Sequence, residues 1–387
     1  MHSSLLTLLI FLTILENIVF GSKIISENEI SENGEYFETN LNRPYNNSKR
    51  NGKFFGVGLV RFANNPCTSG SMVIGTCLRR RQCNDLAGTP SGTCANGIGV
   101  CCILSRTCGG TSALNATYFT NSNYPAPVTA TTRCTMTINR ATADTCQLRI
   151  DFLGFILAQP DATGNCATDA FFVTGGAGLV PIICGDNTGQ HIYVDFNGNN
   201  SIILTVTIAA SNVGRTWSFL ITQIACGCPT RAPSGCLQFF NTTTGTVNSF
   251  NYGVGSNVID PTTALPGTRQ LVNQNYGVCV NMLPGFCSIQ WAANGFIVSG
   301  IPGQGFDALT NGQCLTDFII IPNPSYPNGT LVNTDRFCGT SFNTVQSSLK
   351  PFVMYVVTNA AEAADGDVAN TGFSLSFTQL ACPNTLF

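Results

Sequence analysis

Residue types able to do acid, base or metal chemistry are scarce in this chain, and cysteine is the exception. Past residue 2 there is one histidine, His191, set in an alternating, strand-like run. An imidazole base needs a nucleophile in a recognisable turn, and neither G-x-S-x-G nor a Gly-Asp-Ser-Gly-Gly segment occurs. A histidine-built metal site needs a second histidine. Glu362 is the only glutamate after residue 38, and the thirteen aspartates are scattered singly, so no carboxylate pair is marked out for general acid–base work. The glycines of Gly175-Gly-Ala-Gly178 lack the spacing of a phosphate-cradling loop. Cys226-Gly-Cys228 is one residue short of a C-x-x-C redox motif. The 19 cysteines, about 5% of the residues, serve most simply as disulfides, which persist in oxidising compartments. No catalytic residue and no cofactor is expected.

The rest of the chain agrees with an oxidising address. An apolar run from Leu5 to Leu15 is too short to span a bilayer but suits a signal peptide, with Val19 and Gly21 at the small-residue cleavage positions, so residues 1–21 are expected to be removed on secretion. No later segment approaches 18 uninterrupted apolar residues, and Cys382–Phe387 carries no lipid-anchor signal, so no membrane partner is expected. Charged residues make up 10% of the chain and the formal net charge is -2, which leaves no electrostatic case for nucleic acid. The one basic cluster, Arg79-Arg80-Arg81, reads as a solvated loop. Asn46, Asn115, Asn199, Asn241 and Asn328 each open an Asn-X-Ser/Thr sequon and are candidates for N-glycosylation.

These cysteines need elements to position them, and the second half of the chain is written twice. Cys146-Gln-Leu-Arg-Ile-Asp-Phe-Leu-Gly-Phe155 is answered by Cys287-Ser-Ile-Gln-Trp-Ala-Ala-Asn-Gly-Phe296. Cys166-Ala-Thr-Asp169 is answered by Cys314-Leu-Thr-Asp317, and Cys184-Gly185 by Cys338-Gly339. Trp217-Ser-Phe-Leu-Ile-Thr-Gln-Ile-Ala-Cys226 runs in register with Phe373-Ser-Leu-Ser-Phe-Thr-Gln-Leu-Ala-Cys382. Both copies read as strands. Apolar residues alternate in Leu148/Ile150/Phe152, Ile192/Val194/Phe196, Ile202/Leu204/Val206/Ile208 and Trp217/Phe219/Ile221. The second copy does the same in Ile289/Trp291, Phe318/Ile320, Phe352/Met354/Val356 and Phe373/Leu375/Phe377. No stretch shows sustained helical periodicity, and many short strands imply β-sandwiches.

Ahead of the repeats, residues 22–64 form an acidic, Asn- and Ser-rich leader with too few apolar residues to bury a core, and Lys49-Arg50 within it offers a dibasic processing site. Residues 65–105 then crowd six cysteines, Cys67, Cys77, Cys83, Cys94, Cys101 and Cys102, into a segment that crosslinks must hold. Six cysteines permit fifteen pairings, and spacing alone chooses none.

The six-cysteine segment, with its terminal Val-Cys-Cys, resembles an arthropod clip domain, although the interval before Cys94 is shorter than usual. Each repeat resembles a CUB domain: a leading cysteine (Cys108 or Cys236), a second that opens a strand (Cys134 or Cys279), a Phe-rich strand, Cys-x-x-Asp, Cys-Gly and an aromatic-initiated closing strand. The whole arrangement resembles a group of arthropod secreted proteins in which a cysteine-rich head precedes CUB domains. The expected architecture is all-β: two tandem CUB-like β-sandwiches, 106–228 and 229–387, behind the small disulfide-rich segment.

The resemblance implies Cys67–Cys101, Cys77–Cys94 and Cys83–Cys102 in the head, Cys108–Cys134 and Cys166–Cys184 in the first repeat, and Cys236–Cys279 and Cys314–Cys338 in the second. Cys146 and Cys226 recur as Cys287 and Cys382, which suggests Cys146–Cys226 and Cys287–Cys382 and leaves Cys228 over. A rival scheme pairs Cys228–Cys236 and Cys279–Cys287 and leaves Cys382 over. Either way one cysteine is odd, which suggests a disulfide-linked oligomer or a guarded thiol. CUB domains that bind calcium use a Glu after the Phe-rich strand, the Asp of Cys-x-x-Asp and an Asp before the closing strand. Ala158 and Ser299 stand at the first position, and Ala210–Gly214 has no acid, although Asp365 and Asp367 remain in the second repeat. Calcium is therefore not expected, and Asp169 and Asp317 read as hydrogen-bonded turns.

The resulting expectation is a non-enzymatic extracellular protein that recognises a protein or glycan partner through the loops of its repeats, Thr246–Gln274 being longer than its counterpart. Regulation of extracellular proteolysis and a structural role in matrix or cuticle are the alternatives.

Overall fold

The computed structural model describes residues 64–210, 213–253, 259, 264, 267–299, 314–360 and 369–383. The signal peptide, the leader but for residue 64, Lys49-Arg50, Asn46, Glu362, Asp365 and Asp367 lie outside the described residues.

The head comprises β1 (Pro66–Thr68), β2 (Ile74–Leu78), helix α1 (Arg80–Asp85), β3 (Thr89–Cys94) and β4 (Gly99–Arg106). The arginine triplet is not a loop: Arg79 caps α1, and Arg80 and Arg81 form its first turn. The helix buries Cys83 for its bond to Cys102, and six residues are too few to leave a helical period in the sequence.

The first sandwich contains β5 (Gly110–Ser112), β6 (Thr117–Thr120), β7 (Thr132–Ile138), β8 (Thr145–Ile156), β9 (Asp169–Thr174), β10 (Gly176–Ala177), β11 (His191–Phe196), β12 (Ile202–Ile208) and β13 (Thr216–Ala225). Its sheets run β6-β13-β8-β11-β10 and β5-β7-β12-β9. The head joins the first sheet, because β4 pairs in parallel with β6 from Leu104–Thr117 to Arg106–Phe119. The second sandwich contains β14 (Cys236–Phe240), β15 (Thr244–Asn248), β16 (Asn275–Val280), β17 (Phe286–Ile297), β18 (Phe318–Ile320), β19 (Pro324–Ser325), β20 (Arg336–Phe337), β21 (Val345–Ser347), β22 (Phe352–Val357) and β23 (Gly372–Ala381). Its sheets run β15-β23-β17-β21-β19 and β14-β16-β22-β18-β20. Thr246 and its neighbours thus belong to a strand, not to the long loop expected from Thr246 onward.

The two topologies follow the same strand order, with β20 as an extra edge strand in the second, and they share several irregularities. Each sandwich has one parallel pair, β5 with β7 and β14 with β16. Leu153 is skipped in the β8–β13 ladder, and Asn294, at the matching place in the repeat, is skipped in the β17–β23 ladder. The registers also step over Cys146 and Cys287, the residues that bond Cys226 and Cys382 at Cα separations of 4.8 Å. A bulge re-aims a side chain, and here it turns the cysteine toward the closing strand.

Alternation places the core. Ile202, Leu204, Val206 and Ile208 face inward while Ile203 stays 36% exposed. In the first sandwich Phe152, Phe155, Phe171 and Phe219 meet edge-on or tilted at 4.8–5.7 Å between centroids, with Phe119 and Trp217 beside them. Such pairs add about 0.5–1.5 kcal/mol each beyond their burial. One strand departs in part from its expected phase: Phe318 is buried as expected, 7% exposed beneath the Arg336 guanidinium at 4.5 Å, but Ile319 and Ile321 are fully buried and Ile320 only half-buried. The ladders with β20 and β22 fix that phase, since a shift of one residue would exchange the two faces.

Candidate functional site

The structure joins Cys67–Cys101, Cys77–Cys94, Cys83–Cys102, Cys108–Cys134, Cys146–Cys226, Cys166–Cys184, Cys236–Cys279, Cys287–Cys382 and Cys314–Cys338. Cys228 is a free thiol, half-buried, and its hydrogen bond with Thr230 Oγ1 at 3.1 Å lowers its pKa. Of the described sequons, Asn199, Asn241 and Asn328 are exposed. Asn115 is half-buried, its Oδ1 accepting from the backbone N–H of Ala116 and of Gln223.

Asp169 does more than close a turn. Its carboxylate accepts from Arg215 Nε at 2.7 Å and Nη2 at 3.0 Å, and from the backbone N–H of Ala158 and Ala209, with both charged side chains fully buried. Nothing in the spacing marked Arg215, because its partner is 46 residues away. Asp317 is equally buried, and its Oδ1 accepts from the Asn359 N–H at 2.6 Å. Thr371 occupies the position corresponding to Arg215.

Among the described residues no hydroxyl or thiol is hydrogen-bonded to His191. Its Nε2 lies 2.9 Å from the Phe239 carbonyl oxygen and 3.3 Å from the Phe239 nitrogen, with the rings of Tyr193 and Phe240 edge-on at 5.6 and 5.0 Å. Burial first, and the nearby Arg149 guanidinium second, push its pKa down to about 4, so the ring is neutral at physiological pH. His191 belongs to β11 and Phe239 to β14, so the contact crosses from one sandwich to the other.

That crossing is part of a continuous seam. Asn251, in the left-handed region at φ 63° and fully buried, reaches from the second sandwich into the Cys184–Asn187 turn of the first. Its Oδ1 accepts from the Asp186 N–H at 3.0 Å, its own N–H donates to Asn187 Oδ1 at 2.7 Å, and its Nδ2 donates to Gln159 Oε1 at 3.0 Å. Gly185 makes room: at φ +79°, a Cβ there would sit 1.9 Å from Asn251 Oδ1. Backbone bonds also cross, from Thr268 N–H to Ala162 O and from Val272 N–H to Gly164 O. Gln147 and the backbone of Ala232 exchange two bonds, and Arg231 pairs with Asp195 at 3.2 Å. No sequence signal pointed to Asn251, because its partners across the seam lie more than sixty residues away.

The seam does not close everywhere. A cleft of about 730 Å³ opens between residues 164–167, 177–182 and 193–195 of the first sandwich and 234–237 and 272–276 of the second. Its volume lies within the ~300–1,000 Å³ usual for ligand sites. No sequon borders it. Leu179 is 93% exposed at its rim, and Ile182 is 53% exposed. Asp195 is its one carboxylate among the described residues, held by Gln147 and Arg231.

Residues 233–380 match the family model described as the animal CUB domain. No curated protein matches the chain. Among solved structures, the CUB1-EGF-CUB2 domains of human MASP-1/3 align at 14% identity, covering 68% of this chain and 98% of that one, with a TM-score of 0.24. The CUB1-EGF-CUB2 domains of rat MASP-1 align at 14% identity over 69% of this chain and 99% of that one, with a TM-score of 0.23. The MASP-1 CUB2 domain bound to Ca2+ aligns at 17% identity over 30% of this chain and 98% of that one, with a TM-score of 0.26. Among the described residues no helix is long and apolar enough to cross a membrane. The second sandwich, residues 233–380, is a CUB domain.

Proposed function

We propose that this chain is a secreted, non-enzymatic recognition protein. Residues 106–228 are a diverged copy of the CUB domain that follows in 229–387, and residues 65–105 are a clip-like head of the kind found in arthropod secreted proteins. The shared strand order, parallel pair and bulge positions support the first assignment, and the head's cysteine spacing supports the second. CUB domains are in general protein-interaction modules, and nine disulfides suit an extracellular address. Asn199, Asn241 and Asn328 are the accessible glycan acceptors, and Cys228 is the residue through which a disulfide-linked oligomer would form.

The seam is the observation that carries this reading. Two binding surfaces tied by buried Asn251 and by crossing backbone bonds are presented in one fixed geometry, so a partner that spans them loses little to ordering. The expected partner is an extracellular protein or glycan. The test immobilises wild type and Asn251→Ala at equal density in extracellular fluid from the source organism, with and without excess free protein. Saturable retention by wild type, weakened in a variant of unchanged circular dichroism, supports recognition. No saturable retention, or turnover of peptide or glycoside substrates by the purified chain, overturns it.

A further inference from the structure

At the cleft, a stretch of backbone goes unused. Strand β10 ends at Ala177 after pairing only with Asp195 and Phe196 of β11. The chain then peels away as Gly178-Leu-Val-Pro-Ile182, and among the described residues no hydrogen bond reaches the backbone of Leu179 or Val180. The opposite wall is bordered by β14, itself the edge of its sheet, where Leu237 is skipped in the ladder with β16. The edge strand β10 thus runs on into Leu179 and Val180, two residues outside any strand with free donors and acceptors and an uncovered aliphatic side chain, and such an edge invites another strand.

We propose that this cleft takes an extended, uncharged, aliphatic segment of a partner protein, added as a strand along Leu179–Val180 with a side chain lodged between Ile182 and Leu237. Strand addition draws affinity from main-chain bonds and specificity from pockets for alternate side chains. Charge favours an uncharged segment, because the only lining carboxylate among the described residues, Asp195, is already held by Gln147 and Arg231. Exposure favours a peptide over a sugar, because Tyr193 and Tyr276 are 7% and 5% exposed and offer no open ring face for stacking. The site presupposes the recognition function proposed above and assigns its protein partner a conformation and a polarity.

A phage-displayed library of random heptapeptides, panned on wild type and on Leu179→Asp, tests the site. Leu179 is 93% exposed, so its replacement leaves the fold intact, as a thermal melt will verify. The expected result is enrichment of uncharged, β-branched sequences on wild type. A synthetic peptide of the leading sequence should bind at least tenfold more weakly to Leu179→Asp, and at least tenfold more weakly to wild type when its alternate amides are N-methylated. Equal enrichment on both proteins, selection of charged sequences, or undiminished binding of the N-methylated peptide overturns it. A wild type that retains a partner from extracellular fluid yet enriches no peptide refutes the cleft site alone. One that also retains nothing from the fluid refutes recognition with it.

Discussion

The two sandwiches share a strand order, a parallel pair and two bulges, yet they hold the same buried aspartate in different ways. In the first, Arg215 crosses from the approach to β13 and binds both oxygens of Asp169, so the charges neutralise each other in the interior. In the second, Thr371 stands in that place, and the Asn359 N–H is one of the groups that meet Asp317. Topology is therefore insensitive to how this charge is met: apolar alternation and ladder bonds fix the strands, and the polar solution is added locally. The seam is asymmetric too, since the first sandwich contributes the Cys184–Asn187 turn and β11, while the second contributes Asn251 and β14.

The comparison breaks most sharply at Arg215. Arg215→Met leaves the buried Asp169 carboxyl without its counter-ion, and should cost about 3–5 kcal/mol in chemical denaturation with disulfides intact. Thr371→Ala should cost less than about 1 kcal/mol. Equal losses would mean that the two aspartates are held alike. Acid should weaken the seam next. The unfolded chain binds the His191 proton near pH 6.5, but the folded chain holds out until about pH 4. The stability present above pH 6.5 is thus lost as pH falls through that window, by about 3 kcal/mol in all, and His191→Gln should flatten the profile.

Gly185→Ala should cost about 1–3 kcal/mol, because the new methyl meets Asn251 and the backbone stays left-handed. Pairing it with Asn251→Ala, itself costing about 1–3 kcal/mol, should give less than the sum, since the clash goes with the amide. Strict additivity would place the two residues in separate contacts. The smallest effect belongs to Cys228→Ser, within about 0.5 kcal/mol. Intact mass of the unreduced protein should show a disulfide-linked oligomer in wild type and a monomer in the variant, and a monomeric wild type carrying one alkylated thiol would refute the oligomer.

Much of the fold was legible from period and repetition. Phe152, Trp217 and Phe377 announce inward faces by alternation alone, because the side-chain period of a strand is two. The phase of β18 was not, because Phe318-Ile-Ile-Ile321 is apolar on both faces and its register is fixed by the ladders with β20 and β22. The turn of helix at Arg80 was hidden because three arginines look solvated in any conformation. At the candidate site, His191 reads as structural from its isolation, whereas no period or motif marked Leu179–Ile182. That it stays uncovered is not visible, since coverage depends on the neighbouring sandwich.

The sequence by itself determined an all-β chain with a repeated strand pattern and few groups for chemistry, because those properties are local and periodic. Tertiary structure alone decided that Arg215 meets Asp169, that Asn251 enters the Cys184–Asn187 turn, and that a cleft remains beside Leu179. Each of these depends on residues far apart in the chain, and no period or spacing encodes which distant backbone will come within hydrogen-bonding reach.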